Sequence, residues 1–389
     1  MQSIKKIIKQ ILDCLIALVP RRSPSHKSAQ KLNGLNLIGP EADRGLGFVL
    51  ESVRQSLKHK LPTHRMYLTS SSDEKFRFVY GSNLFVGNPE ILKHAIIRFP
   101  IFPLYHNKNI GLFFWELEKL PKKWLRIRHW FDEIWVQSDF VLNIFKKMSP
   151  LVYKIPFVID LKINKRLSRA HFKLPKKSFI FLFTFDYLSF YERKNPEAIV
   201  RAFKKAFGNR EDVYLLIKST HASSDPTNAC QLKLAVGQSL NIELRDQFLS
   251  NLEQISLVSL CDAYISLHRS EGLGLGMAEA MAMGKPVIGT NYSGNLEFMN
   301  DKNSLLVRCK KTSLRNDSYL HAGNQVWAEP DTNHAAQFMK KIKDNKAFRE
   351  KIAKQALIDM KRFTLKNQQQ AILKRLEVSH VLKRATSTN

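Results

Sequence analysis

The chain has 389 residues, 44% of them hydrophobic and 25% charged, so it can form two or three globular domains and is neither a disordered nor a small disulfide-stabilised protein. Its 62 Lys and Arg residues exceed its 34 Asp and Glu residues, and the formal net charge of +28 predicts an anionic partner: nucleic acid, a membrane surface or a phosphorylated ligand. Four scattered cysteines without metal-ligand spacing predict reduced thiols and no zinc site: Cys14, Cys230, Cys261 and Cys309.

The N-terminus is basic and amphipathic. Apolar residues recur at three- and four-residue steps over 1–19, which predicts a helix. Its other face and the next turn carry Lys5, Lys6, Lys9, Arg21 and Arg22. Gln10 and Asp13 interrupt the apolar stretch, so no transmembrane span is predicted, and the two arginines stand where signal cleavage needs small residues. Residues 1–22 either contact an anionic membrane or pack on the protein itself; a linker completes residues 1–30.

From Leu32 on, short apolar runs alternate with amphipathic stretches, which predicts an α/β fold of parallel sheets covered by helices. A first strand over 35–38 is expected to lead into a glycine loop at Gly45 and Gly47, followed by a helix over 48–58. Further strands are predicted over 78–80, 110–114, 133–136 and 154–156, with a helix over 139–148. We expect residues 31–165 to form one Rossmann-like domain.

A second series of elements predicts another Rossmann-like domain over residues 166–340. Its first strand, 179–184, is apolar throughout, as is typical of a strand that is buried on both faces. Strands are also predicted over 213–218, 263–267 and 287–290, and helices over 196–207, 251–260 and 277–283. Residues 341–389 are expected to form basic helices, and whether they cross back to the first domain stays open.

The most informative segment, residues 268–286, joins a predicted strand to a predicted helix. Its glycines, Gly272, Gly274 and Gly276, let the backbone approach a ligand, and the helix that begins near Gly276 directs free N–H groups and its positive dipole end toward that ligand. A phosphate or diphosphate suits this position. Glu271 and Glu279 can accept hydrogen bonds from sugar hydroxyls, so a nucleotide-sugar is the predicted ligand.

This segment, Ser-Glu-Gly-x-Gly-x-Gly-x-x-Glu-Ala-x-Ala-x-Gly-Lys-Pro-Val-Ile, resembles the signature of glycosyltransferase family 4. Three other segments resemble one branch of that family: 192–196, Trp115-Glu116 with Pro121 and Trp124, and 327–330. The resemblance implies retaining transfer of a hexose and the GT-B fold, in which two Rossmann-like doubly wound domains face each other across a cleft.

The resemblance also implies roles for individual residues. Glu279 would hold the ribose hydroxyls, and Glu271 would hold the donor hexose together with the amides of Gly274, Leu275 and Gly276. Arg193 and Lys194 would neutralise the departing diphosphate, and which cation meets which phosphate stays open. Further donor-site candidates are Lys218, at the end of a strand, and His268, beside Glu271. No Asp-x-Asp occurs in the chain, so protein cations are expected to replace a divalent metal, and no cofactor is expected.

The chain departs from many family members in two places. It has Phe185-Asp186-Tyr187-Leu188 where they carry Gly-Arg, and Phe113-Phe114-Trp115-Glu116 where relatives often place a histidine near the sugar. We expect Glu116 or Trp115 to substitute for that histidine. Gly45 and Gly47 match the family loop that faces acceptor and diphosphate, or else form a plain turn.

These patterns predict a hexosyltransferase that acts at the cytoplasmic face of a membrane, with a glycan or glycolipid acceptor of the polysaccharide or lipopolysaccharide type. No nucleic-acid partner is expected, because no recognition motif accompanies the charge. Two alternative interpretations stay open: a dinucleotide-dependent oxidoreductase and a basic nucleic-acid-binding protein. The oxidoreductase is disfavoured because neither glycine loop is a Gly-x-Gly-x-x-Gly directly after a first strand.

Overall fold

The computed structural model describes residues 34–41, 45–68, 77–315, 319 and 323–385, with side chains as far as Glu377. The predicted N-terminal helix and linker, with Cys14, lie outside the described residues. The chain divides into two compact units. The first holds the residues up to Trp115, Lys119–Val158 and the chain from Phe363 on; the second holds Glu116–Glu118 and Ile159–Arg362.

The first unit contains a six-stranded sheet in the order β2-β1-β3-β4-β5-β6, and all of its strand pairs are parallel. The strands are β1 (Leu35–Gly39), β2 (Thr63–Tyr67), β3 (Ser82–Gly87), β4 (Lys108–Phe113), β5 (Glu133–Val136) and β6 (Val152–Lys154). The helices are α1 (Gly45–Leu57), α2 (Ile91–Arg98), α3 (Ile101–His106), α4 (Lys122–Arg126) and α5 (Asp139–Phe145). Strand β5 agrees with its prediction to the residue.

Buried amides explain the largest error in this unit. The predicted strand over 78–80 is wrong, because the pairing begins at Ser82 and continues through Asn83 in a fully buried strand. Asn83 Nδ2 donates to Asn109 Oδ1 (2.9 Å), and Asn83 Oδ1 accepts from Asn36 Nδ2 (2.9 Å), so the polar groups of three neighbouring strands satisfy one another. Strand β2, polar and at the sheet edge, has no counterpart among the predicted strands.

Two boundaries in the first unit also differ from prediction. Helix α1 begins at Gly45, so Gly45 and Gly47 lie in its first turn and not in a preceding loop; the buried face of the helix extends back to Gly47 at a spacing of three residues from Leu50. Strand β6 ends at Lys154 rather than running over 154–156, and the carbonyl of Pro156 accepts a hydrogen bond from Gln368 Nε2 (2.8 Å).

The second unit contains a parallel six-stranded sheet in the order β12-β11-β10-β7-β8-β9. Its strands are β7 (Phe179–Asp186), β8 (Val213–Thr220), β9 (Ile242–Asp246), β10 (Ala263–Ser266), β11 (Val287–Thr290) and β12 (Leu305–Val307), and an antiparallel pair, β13 (Cys309–Ser313) and β14 (Val326–Pro330), follows. Its helices are α6 (Tyr191–Lys194), α7 (Pro196–Phe207), α8 (Pro226–Val236), α9 (Asn251–Leu260), α10 (Leu275–Ala282), α11 (Thr332–Asp344) and α12 (Lys346–Met360).

Two helices of this unit begin at strong start signals. Helix α7 has Pro196 at its first position, and Ser250 and Glu253 form a capping box at the start of α9. Both helices, and strand β11, agree with prediction to the residue. The two parallel sheets confirm the predicted α/β class with two Rossmann-like units.

The chain returns to the first unit after Arg362. Helix α13 (Leu365–Ala385) packs on α1, and its Ile372 and Leu376 are buried in the first unit's core. Ser56 donates to Gln368 Oε1 (2.7 Å) at this contact. Within the described residues, no helix combines the length and the hydropathy that crossing a membrane requires.

Candidate active site

Two short helices meet at a left-handed residue and position the predicted cations. Helix α6 ends at Lys194, and Asn195 takes φ = 52° before Pro196 starts α7; Asn tolerates this conformation better than most residues. Asn195 Nδ2 donates to the carbonyl of Leu267 (3.0 Å), and the amide of Arg269 donates to the carbonyl of Arg193 (2.8 Å). These bonds fasten α6 to the segment that follows strand β10.

Glu271 binds both predicted cations. Arg193 Nη1 lies 3.0 Å from Glu271 Oε2, and Lys194 Nζ lies 2.6 Å from Glu271 Oε1. Arg193 is only 5% exposed and also donates to the carbonyls of Ser270 (3.0 Å) and Ser189 (3.2 Å). The structure therefore brings three residues predicted from separate motifs into one buried ionic cluster, Arg193–Glu271–Lys194.

The charges of this cluster stabilise each other. Burial alone would raise the pKa of Glu271, but the positive charges of Arg193 and Lys194 outweigh burial and lower that pKa to about 2. Burial would lower the pKa of Arg193, and the negative charges of Glu271 and Glu116 raise it instead. For Lys194 burial prevails over the attraction of Glu271, so its pKa is lowered.

The loop after Glu271 is supported by residues 292–295, which the sequence analysis does not single out. The amide of Glu271 donates to Ser293 Oγ (2.8 Å), and the amide of Gly294 donates to the carbonyl of Glu271 (2.8 Å). The backbones are so close that a Cβ on Gly294 would lie 2.0 Å from the carbonyl oxygen of Gly272. Only the absence of a side chain at residue 294 permits this contact.

Helix α10 begins directly after this loop. Gly274 caps it in the left-handed region, with φ = 89°, and its carbonyl accepts from the amides of Met277 and Ala278. The amides of Leu275 and Gly276 form no hydrogen bond within the described residues. They lie at the positive end of the helix dipole, an arrangement that favours an anionic ligand.

Glu279 lies one turn further along α10 and differs in environment from Glu271. It is half-buried, and the described residues provide its carboxyl group with neither a hydrogen bond nor an ion pair. Burial disfavours its charged form and raises its pKa to about 7. A carboxyl group held without a partner is available to hydroxyl donors.

We expect Glu279→Gln to change the pH dependence of thermal stability. Because the folded-state pKa lies above the unfolded value of 4.5, the neutral carboxyl favours folding at low pH, and this contribution is lost as pH rises from about 4.5 through 7. Relative to the unsubstituted protein, the variant should therefore gain Tm between pH 5 and pH 8 in differential scanning calorimetry. A Tm difference that stays constant with pH would contradict the shifted pKa.

His268 is a fully buried member of the loop's hydrogen-bond network. Its Nδ1 lies 3.1 Å from Ser266 Oγ, its Nε2 lies 3.1 Å from Asn295 Oδ1, and its carbonyl accepts from Thr290 Oγ1 (2.7 Å). Burial lowers its pKa and so favours the neutral imidazole. These contacts make His268 a residue that holds Asn295 and the loop in place.

Glu116 joins the ionic cluster from a separate part of the chain. Tyr319 Oη donates to Glu116 Oε2 (2.5 Å), Ser270 Oγ donates to the carbonyl of Glu116, and Tyr319 also packs on Phe190. Tyr319 belongs to none of the recognised sequence motifs, so no sequence signal marks it. Trp115, the alternative to Glu116, is buried in the first unit against Trp124.

The remaining candidates form no bond to the cluster within the described residues. Lys218 is buried on β8. Burial lowers its pKa, and the negative charges of Asp186 and Asp246 partly offset that lowering. No hydrogen bond or ion pair within the described residues joins Lys218 to the cluster. In the first unit, Gln137 directly follows β5 and is buried, and neither atom of its carboxamide has a hydrogen-bond partner among the described residues. Gln137 is therefore an additional ligand-contact candidate that sequence patterns did not reveal. No group of three or more His, Cys, Asp and Glu side chains suited to a metal ion occurs in the described part of the chain.

Comparison with solved structures supports the fold. The chain resembles HepE of Anabaena, solved in complex with UDP and glucose, with a TM-score of 0.66 and 14% identity over 89% of this chain and 100% of that one. A glycosyltransferase from Rickettsia africae matches with a TM-score of 0.64 and 16% identity over 90% and 98% of the two chains. Sucrose-phosphate synthase of Thermosynechococcus elongatus matches with a TM-score of 0.64 and 14% identity over 92% and 100%. The comparison with curated proteins finds no match.

These likenesses, with the two Rossmann-like units, confirm the predicted GT-B fold class. The family model described as glycosyl transferases group 1 matches residues 164–359, just over half of the chain. That match contains the whole Arg193–Glu271–Lys194 cluster and helix α10, and the chain belongs to the group 1 glycosyltransferase family.

Proposed function

We propose that the protein is a retaining glycosyltransferase that moves a hexose from a nucleoside-diphosphate sugar to an acceptor hydroxyl. The observation that carries this proposal is the Arg193–Glu271–Lys194 cluster beside the open amides of Leu275 and Gly276. Cations and helix N–H groups suit a diphosphate, and carboxylates suit sugar hydroxyls.

Breaking the glycosyl–phosphate bond builds negative charge on the departing diphosphate. Arg193 and Lys194 are the protein cations that would stabilise this charge, with the amides of α10, so the reaction needs no divalent metal and no cofactor. Glu271 would accept hydrogen bonds from hydroxyls of the hexose, and Glu279 would accept hydrogen bonds from hydroxyls of the ribose. In the retaining mechanism that the family resemblance implies, the leaving phosphate assists deprotonation of the acceptor on the same face, and no protein nucleophile takes part.

In this proposal the acceptor is a glycan or glycolipid, as in polysaccharide or lipopolysaccharide biosynthesis, at the cytoplasmic face of a membrane. The excess of 28 positive charges supports an anionic surface as partner. We further propose that residues 1–22, outside the described residues, contact that surface, and that nucleic acid is not a partner.

A thermal-shift screen of UDP-, GDP-, ADP- and dTDP-sugars tests the donor site. Because HepE was solved with UDP and glucose, UDP-glucose is the first to test. A ligand at a hundred times its Kd stabilises the folded state by about 2.7 kcal/mol, so the matching donor should raise Tm by several degrees. Glu279→Ala should abolish most of the shift, whereas the exposed Glu350→Ala control should keep it. Equal shifts for both variants, or none with any donor, would count against the site.

A further inference from the structure

The first unit exposes a group of large apolar side chains on consecutive helices. Ile97 is 71% exposed, Phe102 is 68% exposed and Ile101 is 49% exposed, all within six residues of α2 and α3. Leu125 of α4 is a further exposed apolar residue at 37%. Other apolar residues of the same helices are buried, among them Leu92 of α2 and Leu104 of α3. Each of these helices therefore has apolar side chains both in the core and on the surface. Apolar clusters of this kind mark interaction surfaces.

Contacts join α2 to α4, and α3 to the turn at 128–130. Glu90, at the start of α2, binds Lys123 Nζ (2.6 Å) and Trp124 Nε1 (3.2 Å) of α4. Tyr105 of α3 packs against Trp130, with ring centroids 6.2 Å apart. We call residues 91–106 and 122–130 the α2–α4 face.

The charge on the α2–α4 face has one sign. Its residues include no Asp or Glu and six Lys and Arg residues: Lys93, which is buried, Arg98, which is partly buried, Lys122, Lys123, Arg126 and Arg128. Lys122, Arg126 and Arg128 are exposed, and Lys123 already pairs with the flanking Glu90. Exposed apolar side chains together with the exposed cations Lys122, Arg126 and Arg128 are complementary to the interface of an anionic bilayer, where apolar groups enter the acyl boundary and cations meet phosphate headgroups.

We propose that the α2–α4 face docks the protein on anionic lipid, with Ile97, Ile101 and Phe102 inserted into the bilayer interface. This proposal rests on the membrane location in the proposed function and adds a second contact, distinct from residues 1–22. A protein partner would require acidic side chains to answer the cations, whereas an anionic bilayer offers acyl and phosphate groups together. The face would then hold the first unit at the surface where a lipid-linked acceptor is presented.

Flotation of the full-length protein with vesicles tests the proposal. Vesicles of phosphatidylglycerol with phosphatidylcholine are compared with vesicles of phosphatidylcholine alone. The double variant Ile97→Ser, Phe102→Ser should lower the partition coefficient on anionic vesicles by about tenfold or more. The matched control Leu240→Ser, Phe248→Ser removes side chains that are 96% and 65% exposed in the second unit, and it should float like the unsubstituted protein.

A second pair of variants separates charge from apolar insertion. The double variant Arg126→Gln, Arg128→Gln should weaken binding to anionic vesicles and reduce the salt dependence of that binding. The control Lys351→Gln, Lys354→Gln replaces two exposed lysines of α12 and should weaken binding less. All measurements are repeated with Ile8→Asp and Leu15→Asp, so that binding through residues 1–22 does not mask the face.

Three results would overturn the proposal. The first is equal flotation of the Ile97→Ser, Phe102→Ser variant and the Leu240→Ser, Phe248→Ser control in both backgrounds. The second is equal binding to neutral and anionic vesicles. The third is a lower sedimentation coefficient of the Ile97→Ser, Phe102→Ser variant without vesicles, which would make the face a contact between two copies. An unchanged Tm confirms that the variants fold. A retained donor-induced thermal shift in the face variants distinguishes failure here from failure of the proposed donor site.

Discussion

Lys194→Met should lower kcat by about 10²–10³-fold with little loss of stability, because removing one preorganised group that stabilises transition-state charge has this effect in other enzymes. Glu271 keeps its bond to Arg193 (3.0 Å) in this variant, so the buried carboxylate is not left alone. Steady-state kinetics with the donor found in the thermal-shift screen measure the rate, and calorimetry measures Tm.

Arg193→Met should lose both activity and stability. It removes the cation that binds Glu271 and leaves the carbonyls of Ser270 and Ser189 without their donor, and breaking a buried ion pair costs about 3–5 kcal/mol. The control is Arg201→Met, which breaks an exposed pair with Glu197 and should cost at most about 1 kcal/mol. An unchanged kcat in Lys194→Met would refute the role of that cation, and equal Tm losses for the two arginine variants would refute the buried network.

Gly294→Ala should displace the loop that carries Glu271. Its new methyl group would lie 2.0 Å from the carbonyl oxygen of Gly272 and 2.7 Å from the amide nitrogen of Leu273, and both are backbone atoms that cannot rotate away. Overpacking of this kind costs about 1–3 kcal/mol. We expect donor affinity to fall by about tenfold or more, since a shift of one ångström at a site costs rate and binding steeply.

Calorimetry and donor titration check this expectation against Gly81→Ala. A Cβ on Gly81 would have no atom within 4 Å, so this control should leave Tm and donor affinity unchanged. If Gly294→Ala binds donor as the unsubstituted protein does, the close approach of the two loops does not position Glu271.

The family assignment resolves one of the alternatives that the sequence left open. A dinucleotide-dependent oxidoreductase and a group 1 glycosyltransferase share doubly wound sheets, and a glycine loop by itself does not separate them. Glu271 and Glu279, eight residues apart, favour the glycosyltransferase together with Arg193 and Lys194. The family match over residues 164–359 agrees with that choice.

Local chemistry determined which elements could be predicted. The fixed φ of Pro196 marks the start of α7, and the Ser250–Glu253 capping box marks the start of α9; both helices agree with prediction to the residue. Strand β3 was not found, because the burial of Asn83 depends on amides of two other strands that only meet it in the sheet. Patterns along the chain report neighbours in sequence, not partners across a sheet.

The sequence by itself determined the class of fold, the two acids of the loop and the two cations after the first strand of the second unit, because each is written in a contiguous motif. Only the tertiary structure decided that Arg193 and Lys194 both pair with Glu271, while the carboxyl group of Glu279 has no hydrogen-bond or ionic partner among the described residues. It also decided that Tyr319 donates to Glu116 and that Trp115 belongs to the core. The physical reason is that ionic pairing and burial depend on distances between residues that are remote along the chain.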